Sequence, residues 1–152
     1  MIRNVLETLL VRDPASGKAK PALATSWQWV DPTTLDLQLR RGVTFHDGSP
    51  FTADYNKSPA NNATFAIADY CFIKSAAKRG AFSVRLVLEV PTPSAIDRLN
   101  QVLFILPKAT HEKLGARAFG AQPVGTGPMK VEKFEPGRHV LLARNAAYYP
   151  AD

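Results

Sequence analysis

Two stretches of this chain alternate apolar and polar residues with a period of two. Leu35, Leu37 and Leu39 alternate with Asp36, Gln38 and Arg40; Val84, Leu86, Leu88 and Val90 alternate with Arg85, Val87 and Glu89. Successive side chains of a strand point to opposite faces, so this period calls for a sheet with one face buried. Residues 129–134 and 139–144 read as two more strands around Pro136-Gly137. Any fold for this chain must therefore house several half-buried strands.

Helical spacing is shorter-ranged. Ile2, Val5, Leu6, Leu9 and Leu10 share one face, which predicts a short amphipathic helix over 2–10. Residues 21–27 read as a second helical turn with Leu23 and Trp27 inward. Thr52 with Asp54 reads as a helix start. Thr92-Pro93 opens another helix, lined on its inner face by Ile96, Leu99 and Leu103. Residues 104–106 form a short buried strand, and 108–114 a helix closed by Gly115. Residues 64–73 are apolar enough for a helix or a strand. Turns fall at 13–17, Asp31-Pro32, Arg41-Gly42 and 46–50. Strands and helices mix without strict alternation. That favours a mixed α+β (α/β sandwich) fold over a doubly wound parallel sheet.

The chain has 152 residues, about one domain. The net charge of +6 admits an acidic partner. However, Lys and Arg are spread along the chain, and the dense spots at Arg40-Arg41 and Lys74 to Arg79 lack interleaved aromatics. A solvated surface is the reading, and a basic nucleic-acid-binding domain is the alternative. The single cysteine, Cys71, allows neither an internal disulfide nor a thiolate zinc cluster. No run approaches the roughly 18 apolar residues that span a bilayer. Glu7 interrupts any signal-peptide core, so an exported form would have lost its targeting segment.

Catalytic constellations are missing from the pattern. No Gly-x-Ser-x-Gly elbow occurs. The histidines are His46, His111 and His139, and His111-Glu112 does not continue into a zinc-protease motif. A small metal-dependent enzyme built on His46, Asp47 and His139 is a further alternative, without support from spacing. Gly125-Thr126-Gly127-Pro128 fails as a phosphate loop, because Pro128 lacks an N–H and no Gly-Lys-Ser/Thr follows. It reads as a tight turn whose small residues permit unusual backbone angles.

Three blocks carry a resemblance. The first is Pro21-Ala22-Leu23-Ala24-Thr25-Ser26-Trp27, with the strand at 35–39 and Arg40-Arg41-Gly42-Val43 behind it. The second runs from Thr44-Phe45-His46-Asp47-Gly48 to Thr52-Ala53-Asp54. The third is Pro123-Val124-Gly125-Thr126-Gly127-Pro128, ending at Arg144-Asn145 and Tyr148. With Val5-Leu6-Glu7-Thr8-Leu9-Leu10 in front, the chain resembles the dipeptide-, oligopeptide- and nickel-binding proteins of ABC importers. The resemblance implies a two-lobed, extracytoplasmic (periplasmic) receptor that closes on a peptide or similar small solute and docks on a membrane permease. It implies neither catalysis nor a cofactor. Residues 1–152 would form a single domain, a fragment of the first lobe. A strand before Ile2 and the second lobe after Asp152 would be missing, and the region from Asp54 to Ile73 would be shortened. The missing lobe would leave an exposed apolar face, with homo-oligomers as one consequence. Trp27 would pack in the core and His46-Asp47-Gly48 would form a turn, while Gly125 and Gly127 would shape a bend. By position only, Phe65, Tyr70, Asn100 and Gln101 would approach the ligand cleft.

Overall fold

The computed structural model describes residues 2–53, 72–101 and 103–149. Its contacts gather into two compact units, one of Thr8–Arg41 and Thr52–Phe104, the other of Met1–Glu7, Gly42–Phe51 and Ile105–Asp152.

In the first unit, β1 (Leu10–Arg12) pairs with β2 (Ala19–Pro21) around a turn. Asp13 shapes that turn. It accepts the Ser16 hydroxyl and Lys20 ammonium, which pull its carboxyl down to about 2. Then come β3 (Ala24–Asp31), β4 (Thr34–Leu39), β5 (Ile73–Gly80) and β6 (Ser83–Leu88), an antiparallel sheet ordered β3-β4-β6-β5. Both period-two runs sit at its centre. Leu35 lies opposite Leu86 and Leu37 opposite Val84, all buried. Asp36 lies opposite Arg85 on the other face, where the guanidinium donates two bonds of 2.7 Å to the carboxylate. Those bonds hold the Asp36 carboxyl below its ordinary range. Helix α2 (Ala95–Gln101) buries Ala95, Leu99 and Asn100. It starts after the Thr92-Pro93 pair, because the Thr92 hydroxyl bonds Val90 O instead of capping the helix.

In the second unit, α1 (Ile2–Val5) precedes a turn at 44–50, which is closed by a bridge between Thr44 and Pro50. Helix α3 (Lys108–Ala121) buries His111 and Phe119, whose rings meet edge-on at 5.1 Å. The hairpin of β7 (Met129–Glu135) and β8 (His139–Arg144) turns at Gly137, whose φ is 75°. Among the described residues no helix is long and apolar enough to cross a membrane.

Several expectations need correction. The apolar run at 2–10 is helical only to Val5; Leu9 and Leu10 are buried through an extended segment and β1 instead. Residues 21–27 are strand, not helix, although Leu23 is fully buried. Residues 104–106 make no strand beyond one bridge, from Phe104 to Thr8. Gly115 does not end its helix but kinks it, at φ 72° and ψ 164°, and helical residues resume beyond. Gly115→Ala is expected to lower stability by about 1–3 kcal/mol, since that backbone region is essentially glycine-only. A urea melt of the variant beside the parent chain checks it.

Candidate functional site

The second unit holds the densest polar cluster among the described residues. It is built from the turn at 44–50, the 125–127 turn, Glu7 and the segment after β8. Inside the first turn, Phe45 N–H bonds Ser49 O at 2.8 Å and Gly48 takes a φ of 82°. Asp47 accepts the Ser49 amide and hydroxyl and also the Thr110 hydroxyl of α3. Burial opposes its charge, but these bonds outweigh it and hold the carboxyl below the ordinary value.

The rigid turn presents His46 to Gly125 and Gly127. The His46 N–H bonds Gly125 O at 2.8 Å. The Gly125 N–H points at His46 Nδ1 at 3.3 Å, and Nε2 lies 2.9 Å from Gly127 O. Gly127 O also accepts Asn145 Nδ2 at 3.0 Å. Burial pushes the imidazole below its ordinary pKa. The Gly127 carbonyl works the other way, and nearby Lys130 adds to the lowering.

Glu7 completes the cluster. One carboxylate oxygen accepts the Thr126 hydroxyl at 2.8 Å; the other accepts Tyr148 at 3.0 Å and Tyr149 at 2.7 Å. Burial, and then the Glu7 charge, raise the Tyr149 phenol far above its usual value, so it stays a donor. The two tyrosine rings lie 4.7 Å apart. With Pro128, Met129, Arg144, Asn145 and Ala146 they line an open groove of about 570 Å³.

The glycines do not act as expected. Neither Gly125 nor Gly127 has a positive φ. They are small because the backbone of 4–5 passes against them: a Cβ at Gly125 would sit 2.0 Å from Val5 O, and one at Gly127 2.5 Å from Asn4 O. The requirement is space rather than backbone freedom.

This arrangement binds and positions groups. Both His46 ring nitrogens face backbone groups, and among the described residues no three His, Cys, Asp or Glu side chains gather as metal ligands. Of the residues expected at a cleft, Phe65 and Tyr70 lie outside the described residues, as does Cys71. Asn100 is fully buried in α2, and neither atom of its side-chain amide has a hydrogen-bond partner. Gln101 beside it is exposed. Glu7, Thr126 and Tyr149 were not singled out by the sequence. Their contacts span 119 to 142 residues, and no local pattern reports such a pairing.

A mixed antiparallel sheet, short helices and a buried polar cluster joining distant motif blocks are the parts of a periplasmic binding-protein fold. Residues 18–152 match the family described as bacterial extracellular solute-binding proteins, family 5 Middle, and the chain belongs to that family. Its fold is similar to the crystal structure of NikZ from Campylobacter jejuni in complex with Ni(L-His), with a TM-score of 0.84 and 32% identity over 97% of this chain and 31% of that one. The chain is 26% identical to the oligopeptide-binding protein AppA of Bacillus subtilis, covering 97% of this chain and 30% of AppA. It is 30% identical to the glutathione-binding protein GsiB of Escherichia coli O1:K1 / APEC, covering 87% of this chain and 27% of GsiB. The chain thus spans about 30% of the length of the relatives it matches.

Proposed function

We propose that the chain supplies part of the first lobe of an ABC importer's solute receptor, which captures a peptide or similar small solute outside the cytoplasm and passes it to a membrane permease unchanged. The match of residues 18–152 to the solute-binding family is the observation that carries this reading. The names of the relatives span an oligopeptide, glutathione and a nickel–histidine complex. These share amide, amino and carboxylate groups, so the solute class for this chain is peptides or amino-acid chelates. A second lobe would close over the solute by a hinge. Asn100 supports a solute-facing role for the end of α2, alongside Gln101, Phe65 and Tyr70. A buried amide without partners is unfavourable by about 1–3 kcal/mol, and a bound polar group would relieve it. Exposed Phe134 and Leu141 on the β7–β8 hairpin support an apolar contact with the second lobe or with another copy. The metal-enzyme alternative is weakened by the engagement of His46 on both ring nitrogens.

Equilibrium dialysis of the purified chain against peptides of increasing length, glutathione and Ni(L-His), read by mass spectrometry, tests the proposal. Saturable uptake of one class is expected, with the solute recovered at unchanged mass. Asn100→Ala should weaken that uptake about ten-fold. Uptake of none of them, or a solute returned chemically altered, would overturn the reading.

A further inference from the structure

His46 sits between two backbone groups of opposite polarity. The Gly125 N–H faces Nδ1, which must therefore present its lone pair, and the Gly127 carbonyl faces Nε2, which must therefore carry the proton. Only the neutral Nε2–H tautomer satisfies both. An imidazolium would set a second N–H against the Gly125 N–H at the same 3.3 Å, exchanging a hydrogen bond for a repulsion. The ring cannot avoid this by sliding. Its own amide is bonded to Gly125 O, and the turn beneath it is locked by Phe45, Asp47 and Ser49.

We propose that His46 is a proton-operated latch: neutral, it clamps the 125–127 turn; protonated at Nδ1, it releases Gly125. The charged groups around it set the direction. Lys130 of β7 disfavours the imidazolium, while Asp47 of its own turn favours it. Asp47 is already committed to Ser49 and to Thr110 of α3, and the Glu7 carboxylate is taken up by Thr126 and the two tyrosines. Burial adds to the opposition to charge. The native state thus holds the neutral ring below the pH at which a free histidine protonates. The clamp's contribution is complete above about 6.5, the ordinary histidine value, shrinks as pH falls below that, and levels off once the folded ring itself is protonated. The element released is the turn whose middle residue, Thr126, bonds Glu7, so acidification loosens the cluster at its centre.

Nuclear magnetic resonance on the intact chain tests the latch. At neutral pH the His46 nitrogen shifts should report the Nε2–H tautomer. Between pH 7 and 5, Gly125 amide exchange, corrected for its intrinsic pH dependence, should rise about five- to ten-fold, the equivalent of one net hydrogen bond. The Ala24 amide, bonded to Leu9 O in the first unit, should not change. His46→Gln keeps an N–H for Gly127 but does not titrate, and should flatten the response. His139→Gln should leave it intact, since His139 faces Glu135 in the hairpin. An Nδ1–H tautomer at neutral pH, an unchanged Gly125 amide, or the same acid response in His46→Gln would each overturn the latch.

Discussion

Replacing Gly125 by alanine is expected to unfold the unit that contains it, with a loss of at least about 3 kcal/mol. A Cβ there would lie 2.0 Å from Val5 O and 2.8 Å from Leu6 Cδ2. Neither neighbour can retreat cheaply. Val5 O accepts the Gly127 N–H at 3.0 Å, so moving it breaks that bond, and Leu6 is buried with no space to yield. Gly127→Ala meets Asn4 O at 2.5 Å and Val5 O at 2.8 Å and should behave similarly. Gly48→Ala is the contrasting control. Nothing lies within 4 Å of its added methyl, and only its φ of 82° is strained, so about 1–2 kcal/mol is expected. Urea melts followed by circular dichroism separate the cases. A Gly125→Ala chain as stable as the parent would mean that the 4–5 backbone moves freely, and the close approach would lose its structural meaning.

The contrast between these glycines also marks how far the sequence could be read. Leu35 to Leu39 and Val84 to Leu88 were legible because a central strand with one buried face must alternate, and the register pairs those very residues. The hairpin at Gly137 was legible for a related reason: its turn residues stand between two apolar runs. Strand β5 was not legible. Its Lys-Ser-Ala-Ala-Lys-Arg stretch is an edge, largely exposed, so no alternation is imposed on it, and its cations suit an unpaired edge. Residues 2–10 misled for the opposite reason. Leu6, Leu9 and Leu10 are all buried, but by tertiary neighbours that vary along the segment, and the resulting spacing mimics a helix face. At the site, the motif blocks at 44–50 and 123–128 were visible as blocks, while their meeting was not. The His46 contacts cross 79 and 81 residues, and one sequence carries no record of which distant glycine a histidine will meet.

The longest-range of these meetings gives the other large expected effect. Glu7→Ala should lower stability by about 3 kcal/mol, because it strips the acceptor from three hydroxyls at once. The three come from two separate places: Thr126 from the turn at 125–127, and Tyr148 and Tyr149 from the segment beyond β8. Glu7 is therefore the single side chain that ties both to the N-terminal segment. Glu7→Gln should lose roughly half as much, since one amide oxygen still accepts while the charge and the second acceptor are gone. A cycle with Tyr149→Phe isolates the pair and should give a coupling of about 1–2 kcal/mol. A spectroscopic reading distinguishes this from simple loss of packing. Burial and then the Glu7 charge raise the Tyr149 phenol, so removing the charge in Glu7→Gln should bring its ionisation back toward the ordinary value of 10.0 while the ring stays in place. If Glu7→Ala costs less than about 1 kcal/mol, water satisfies the freed hydroxyls. The segments would then be held by the His46 clamp and the glycine contacts, neither of which needs a carboxylate.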